Sequence, residues 1–207
     1  MKHILYIFFL LLSIPGFAQK WGYGLKVGGG IANQSVTNKE IIEVNSIRTF
    51  NAGGFVKYYL KEDLLLQAGI NYSEKGAQVV EDAITTTSRI KYADVPLNLV
   101  KRFNFSGLGK IFIGGGAFFA RALSGKYKYE TPNSVTSDDL EIGNDKYLQR
   151  YDYGLNITSG LELDNHLLFD LRYAFGMKNL STPNLKDTGT SAIKSRLLVL
   201  SLGYVLH

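Results

Sequence analysis

Residues 151–173, YDYGLNITSGLELDNHLLFDLRY, constrain the chain more than any other stretch. Tyr151, Tyr153, Leu155, Ile157, Leu161 and Leu163 fall on odd positions, while Arg150, Asp152, Asn156, Thr158 and Glu162 fall on even ones. A repeat of two is the period of a β-strand, whose successive side chains point to opposite faces. After Asp164 and Asn165 the alternation resumes, with Leu167, Phe169, Leu171 and Tyr173 facing away from His166, Asp170 and Arg172. A two-residue turn would place Asp170 and Arg172 on the face of Leu155 and Leu161. A three-residue loop over residues 163–165, with Asn165 left-handed, pairs Glu162 with His166 and leaves two uniform faces. One is apolar and aromatic, and the other carries carboxylates and guanidiniums. In a soluble sandwich the apolar face is the core. In a small membrane barrel it meets lipid, and the charged face fills the lumen.

The N-terminus narrows the choice. Residues 1–18 read as a cleaved signal peptide: Lys2 and His3 precede an apolar run over residues 4–14, and Gly16, Phe17 and Ala18 offer a small-x-small cleavage site. The apolar run is too short to span a bilayer, and no cysteine follows it for lipid attachment. The mature chain, residues 19–207, has neither a thiol nor an apolar run of membrane-helix length. An exported chain of this kind is either soluble in the envelope or a barrel in an outer membrane. Its net charge of +5 is spread among Asp and Glu with no basic cluster, which argues against nucleic acid as a partner.

The rest of the chain repeats the two-faced pattern. Trp21, Tyr23, Leu25 and Val27 alternate with Gly22, Gly24, Lys26 and Gly28. These glycines suit close packing in a narrow barrel, since no helix and no GK[ST] follows to make a phosphate loop. Ala52, Val56, Tyr58 and Leu60 oppose Asn51, Gly53 and Lys57, and a short turn over residues 61–63 pairs Leu60 with Leu64. Leu64, Leu66, Ala68, Ile70 and Tyr72 then oppose Gln67, Gly69, Asn71 and Ser73. A polar connection over residues 74–87 leads to a strand in which Val95, Leu97 and Leu99 alternate with Asp94, Asn98 and Arg102. Pro96 there predicts a bulge or bend. Residues 104–109 form a turn. Residues 110–122 form a strand whose faces are obscured by Gly114, Gly115 and Gly116. Residues 123–146 make the longest loop and residues 177–192 another, and the last strand covers residues 193–206.

Long and short connections thus alternate across about eight strands, as in an up-and-down transmembrane barrel with long extracellular loops and short periplasmic turns. The fold expected is all-β: a single up-and-down antiparallel transmembrane β-barrel. A soluble lipocalin-like barrel would need an apolar lumen and a polar exterior, the reverse of this pattern.

Several segments resemble a known family. YSEKGA at residues 72–77, YADVPL at 92–97, RYAFGMKNL at 172–180 and the closing LSLGYVL are similar to strands of the outer-membrane β-barrel domain family that includes PorT-like proteins. The likeness covers nearly the whole mature chain. It implies a small barrel in the bacterial outer membrane, with lipid around it, and no single activity, although the name-giving member serves protein secretion. Such barrels commonly end in an aromatic residue. This chain ends Leu206, His207, so Tyr204 is the nearest candidate.

The candidate functional residues follow from the faces. Asp94, Arg102, Arg150, Asp152, Glu162, Asp170 and Arg172 are predicted to point inward. A lumen of about eight strands has room only for side chains, so a buried charge network is expected, with a narrow path for protons or small solutes as the alternative. Tyr127, Tyr129 and Tyr147 on the longest loop are candidate contacts for envelope or secretion-system proteins or surface ligands, or else membrane-rim anchors. Asp138, Asp139, Glu141 and Asp145 lack the spacing of a calcium loop. His166, His207 and Ser201 have no carboxylate placed to orient them, so no catalytic site, metal or cofactor is expected. The function expected is that of a non-enzymatic structural or interaction module, linked to protein secretion or surface binding through its long loops, with a narrow channel as the alternative.

Overall fold

The computed structural model describes residues 20–38, 43–81, 84–143, 146, 148–182 and 190–206. The expected signal peptide, Asp145, Tyr147 and His207 lie outside them. Ten strands run β1 Trp21–Asn38, β2 Glu43–Asn45, β3 Ile47–Lys61, β4 Leu64–Glu81, β5 Ile84–Phe105, β6 Gly109–Thr131, β7 Ser134–Asp139, β8 Tyr151–Leu163, β9 Leu167–Gly176 and β10 Thr190–Leu206. Eight of them close a ring in the order β1, β3, β4, β5, β6, β8, β9, β10, with β10 pairing back onto β1 and every pairing antiparallel. The short β2 pairs with β4 and β7 pairs with β6. Closure leaves the ring without an edge, so each strand finds its backbone partners within the wall.

The alternation read from the sequence sets the direction of the side chains. Leu25, Ile70, Leu97, Ile157 and Leu200 are each more than half exposed on the outer wall. Their inward neighbours Lys26, Asn71, Asn98, Asn156 and Ser201 are buried. The polarity is inverted as expected. The short turns between β3 and β4, β5 and β6, and β8 and β9 share one end with both termini of the ring, since Trp21 lies opposite Tyr58 and Tyr23 opposite Leu206. That end is periplasmic by the length rule for such barrels, and the opposite end is extracellular.

Several local expectations are corrected. Residues 74–87 are not a loop, because β4 runs to Glu81 and β5 starts at Ile84. Strands can keep pairing after leaving lipid, where an apolar outer face is no longer needed, so polarity alone understated their length. Likewise β6 continues to Thr131, and β7 folds back along it, within the segment expected as the longest loop. At 23 residues β6 is more than twice the length that crosses a bilayer.

The hairpin of β8 and β9 pairs Glu162 with Leu168, not His166, and His166 rather than Asn165 is left-handed at φ 70°. The three-residue loop is therefore displaced by one position to residues 164–166, closed by a bond from the His166 amide to the Leu163 carbonyl at 2.9 Å. Moving the pairing partner by an even number keeps both faces, so the inside and outside sets survive. The turn after β3 pairs Lys61 with Leu64 and leaves Leu60 unpaired. Pro96 makes no bulge. The β4–β5 ladder keeps its register and lacks only the rungs facing Pro96 and Val95. The bulge lies further along, between Lys91 and Tyr92 opposite β6, where Leu123 is the extra residue.

The glycine run in β6 does not break the alternation: Phe112 and Phe118 point inward on either side of it, and Ile113 and Ala117 outward. A Cβ on inward Gly116 would meet the Leu97 carbonyl oxygen at 1.9 Å, whereas one on outward Gly115 meets its nearest atom at 3.4 Å. Gly116→Val is therefore expected to destabilise the barrel by about 3 kcal/mol or more through overpacking, and Gly115→Ala to be near neutral. Urea titration of refolded protein, followed by heat-modifiable gel mobility, distinguishes the two.

Candidate functional site

Successive inward residues change character along each strand in the same order. On β9 they run Leu168, Asp170, Arg172, Ala174, and on β5, read from its periplasmic end, Val100, Asn98, Pro96, Asp94, Tyr92, Ile90. On β10 Val205 is followed by Ser201 and then by Val199 and Leu197. The lumen is therefore layered. Phe55, Leu65, Val100, Phe112, Leu168 and Val205 form an apolar cluster near the periplasmic side. A second cluster near the extracellular side gathers Ile90, Tyr92, Phe118 and Leu197 with Leu140, Leu148 and Leu180 from the connections. Lys26, Asp94, Asp170 and Arg172 lie between them, Lys75 and Asp152 reach the rings of the extracellular-side cluster, and Lys57, Glu162 and Arg102 stand at the level of the periplasmic-side one.

Among the described residues, Lys26, Lys57, Lys75, Arg102 and Arg172 are buried with Asp94, Asp152, Glu162 and Asp170. Lys26 Nζ bonds Asp170 Oδ1 at 2.7 Å, and Thr158 donates to the other oxygen of that carboxylate at 2.6 Å. Arg172 lies 2.9 Å from Asp94, which also accepts from Ser73 at 3.2 Å. Lys75 bonds Asp152 at 2.8 Å, and its ammonium sits 4.3 Å from the centre of the Phe118 ring and 4.9 Å from that of Tyr92. Ser195 completes the Asp152 site at 2.6 Å. Lys57 pairs with Glu162. Each cation is thus set against a carboxylate, an aromatic face or both, the arrangement that makes buried charge tolerable. Among the described residues, buried polar atoms of Asn71, Asn98, Asn156 and Arg172 make no hydrogen bond.

At the periplasmic mouth Arg102 stacks 4.5 Å over the Tyr59 ring and donates to the Glu62 carbonyl. Outside the wall, the hydrogen bond from Lys101 holds the Asp63 carboxyl below the ordinary carboxylate range.

Six of the seven predicted inward residues are brought to the lumen: Asp94, Arg102, Asp152, Glu162, Asp170 and Arg172. Arg150 is not. It is exposed ahead of β8 and donates to the Ile142 carbonyl at 3.1 Å, because the alternation that directs side chains starts only at Tyr151. Tyr127 and Tyr129 stand on β6 rather than on a loop. The extra residue at Leu123 inverts the alternation, so Tyr127 turns inward against the upper apolar cluster; Tyr129, of the same parity and two residues further along β6, is exposed. Asp138 and Asp139 lie on β7.

The lysine partners were missed. Lys26 and Lys57 already belonged to inward sets in the sequence, so matching inward cations to inward carboxylates would have found them. Lys75 is concealed in the sequence because the polar end of β4 has the pattern of a loop.

A closed ring with an apolar exterior and paired internal charges is the design of a small outer-membrane barrel, and residues 17–182 match the family model described as outer membrane protein beta-barrel domain. The chain belongs to that family. Its location is the bacterial outer membrane. Solved structures similar to this outer-membrane barrel include Ail of Yersinia pestis (17% identity, TM-score 0.45, covering 90% of this chain and 99% of that one). Neisserial surface protein A is similar at 11% identity and TM-score 0.48, covering 88% and 96%, and OprG of Pseudomonas aeruginosa at 12% and 0.44, covering 89% and 96%. No curated protein matches the chain.

Removing one member of a sealed pair leaves the other charge stranded. Lys75→Met and Asp152→Asn are each expected to cost the outer-membrane barrel about 3–5 kcal/mol, and the double variant distinctly less than their sum. Equilibrium unfolding in detergent micelles reads both values.

Proposed function

We propose that the barrel is a closed, non-enzymatic scaffold whose extracellular end presents an interaction surface, linked to protein secretion or surface binding. The observation that carries this reading is the filled lumen, in which the pairs of Lys26 with Asp170 and Arg172 with Asp94 lie between two apolar clusters. A solute path along the axis would have to part Lys26 from Asp170, Arg172 from Asp94 and both clusters at once. The rigid part exposed to the outside is the wall of β4, β5, β6 and β7 that outruns the membrane. Rigid, paired backbone presents side chains at low entropic cost, which favours recognition there. Ser201 is buried facing the lumen, while the ring of His166, in a periplasmic turn, lies 5.8 Å from that of the outward-facing Tyr204, and this placement on different faces supports the non-enzymatic reading.

Refolded protein in planar bilayers is expected to give no stable single-channel openings, and reproducible openings would favour the narrow channel instead. Replacing the hairpin formed by the end of β6 and β7 with a short turn is expected to leave the barrel folded and to abolish crosslinking to its surface partner in whole cells.

A further inference from the structure

The outer wall changes abruptly above the aromatic girdle. On β6 Phe119 stacks against Tyr151 of β8 at 5.6 Å, and on β3 and β4 Phe50 lies 6.3 Å from Tyr72. Aromatic rings at this height mark the headgroup level of the outer leaflet. The next outward positions are Arg121 on β6, opposite Tyr151, and Arg48 on β3. Lys91 and Arg89 follow on β5, and Lys126 on β6 lies directly opposite Arg89. Like charges facing each other across a ladder are destabilising unless an anion lies between them.

The carboxylates on this wall do not balance the cations. Glu74 lies opposite Lys91 in register but is taken by Arg89 at 2.8 Å, and also accepts from the Phe50 amide and the Tyr72 hydroxyl. Asp139 of β7 lies opposite Lys126 in register. Arg48, Lys91 and Arg121 make no ion pair among the described residues. The bulge at Leu123 builds the patch: with the alternation unbroken, Lys126 would point into the barrel as Ala120 and Ala122 do. Leu123 itself is 58% exposed between Arg121 and Lys126.

We propose that Lys91, Arg121 and Lys126, with Arg48 beside them, bind the phosphate groups of an anionic glycolipid of the outer leaflet, whose acyl chains lie on the apolar wall below. The position selects a lipid: the cations sit one step above a girdle that places them at phosphate depth, on the face turned toward the membrane rather than on a loop tip. Ammonium and guanidinium groups near a membrane surface gain affinity for anionic headgroups with each charge added.

The test uses the full mature barrel refolded into phosphatidylcholine nanodiscs containing a small fraction of diphosphoryl lipid A, with lipid retained after detergent extraction read by native mass spectrometry. The triple variant Lys91→Gln, Arg121→Gln, Lys126→Gln is expected to lower retention by at least roughly tenfold. A matched variant at the periplasmic rim, Lys20→Gln, Lys61→Gln, Lys110→Gln, should retain lipid like the unaltered chain. Lipid A stripped of its phosphates should be retained no better by the unaltered chain than by the triple variant. Heat-modifiable mobility checks the fold of each protein. Should the triple variant not fold, the single variants Lys91→Gln and Arg121→Gln, each expected to lower retention severalfold, decide the question. Equal retention by the unaltered chain and the patch variants, equal loss in the rim variant, or indifference to the phosphates would overturn the proposal. Displacement of lipid A by soluble heparin, with the acyl chains irrelevant, would overturn it in favour of a polysaccharide ligand.

Discussion

Closure of the ring by the ladder between β1 and β10 is the constraint from which the rest follows. Sixteen register pairs join the first strand to the last, from Tyr23 with Leu206 to Asn38 with Thr190. In hydrocarbon no water is available to satisfy an open edge, so the two strands farthest apart in sequence must meet. A ring of only eight strands has an interior just wide enough for side chains, and the inward positions of every strand are forced into contact. The sealed lumen is thus a consequence of size as much as of chemistry.

Within that narrow space, the charges are arranged to be neutralised rather than exposed. Asp170 receives both Lys26 and Thr158, and Asp152 receives both Lys75 and Ser195. Glycine at Gly116 and Gly160 lets neighbouring backbone and the Phe112 ring approach where any side chain would collide. Gly125 does the same for the plug, since a Cβ there would meet Leu140 at 2.8 Å. The connections close the extracellular mouth by inserting Leu140, Leu148 and Leu180, and the Leu180 amide is tied to the Ile193 carbonyl at 2.8 Å.

A single inserted residue gives the two ends of β6 different roles. Up to Ala122 its even positions fill the lumen; beyond Leu123 the odd positions Gly125 and Tyr127 do. The shift sends Tyr127 inward to the plug and Lys126 and Lys128 outward to the wall, so one bulge both tightens the mouth and charges the surface above the lipid. Bulges commonly re-aim side chains in this way.

Alternation by itself determined the inverted polarity, the number of membrane strands, the short periplasmic turns and six of the lumen residues, because a period of two is local and each strand carries its own record of it. The position of Asp94 or Glu162 could be read for that reason. Only the tertiary structure decided which cation meets which carboxylate: Lys75 and Asp152 are 77 positions apart, and their meeting depends on ring closure and stagger. Strand length, the site of the bulge and the fates of Arg150 and Tyr127 were likewise beyond local pattern. Backbone pairing continues where side-chain polarity no longer reports it, and one extra residue in a ladder is visible only against its partner strand.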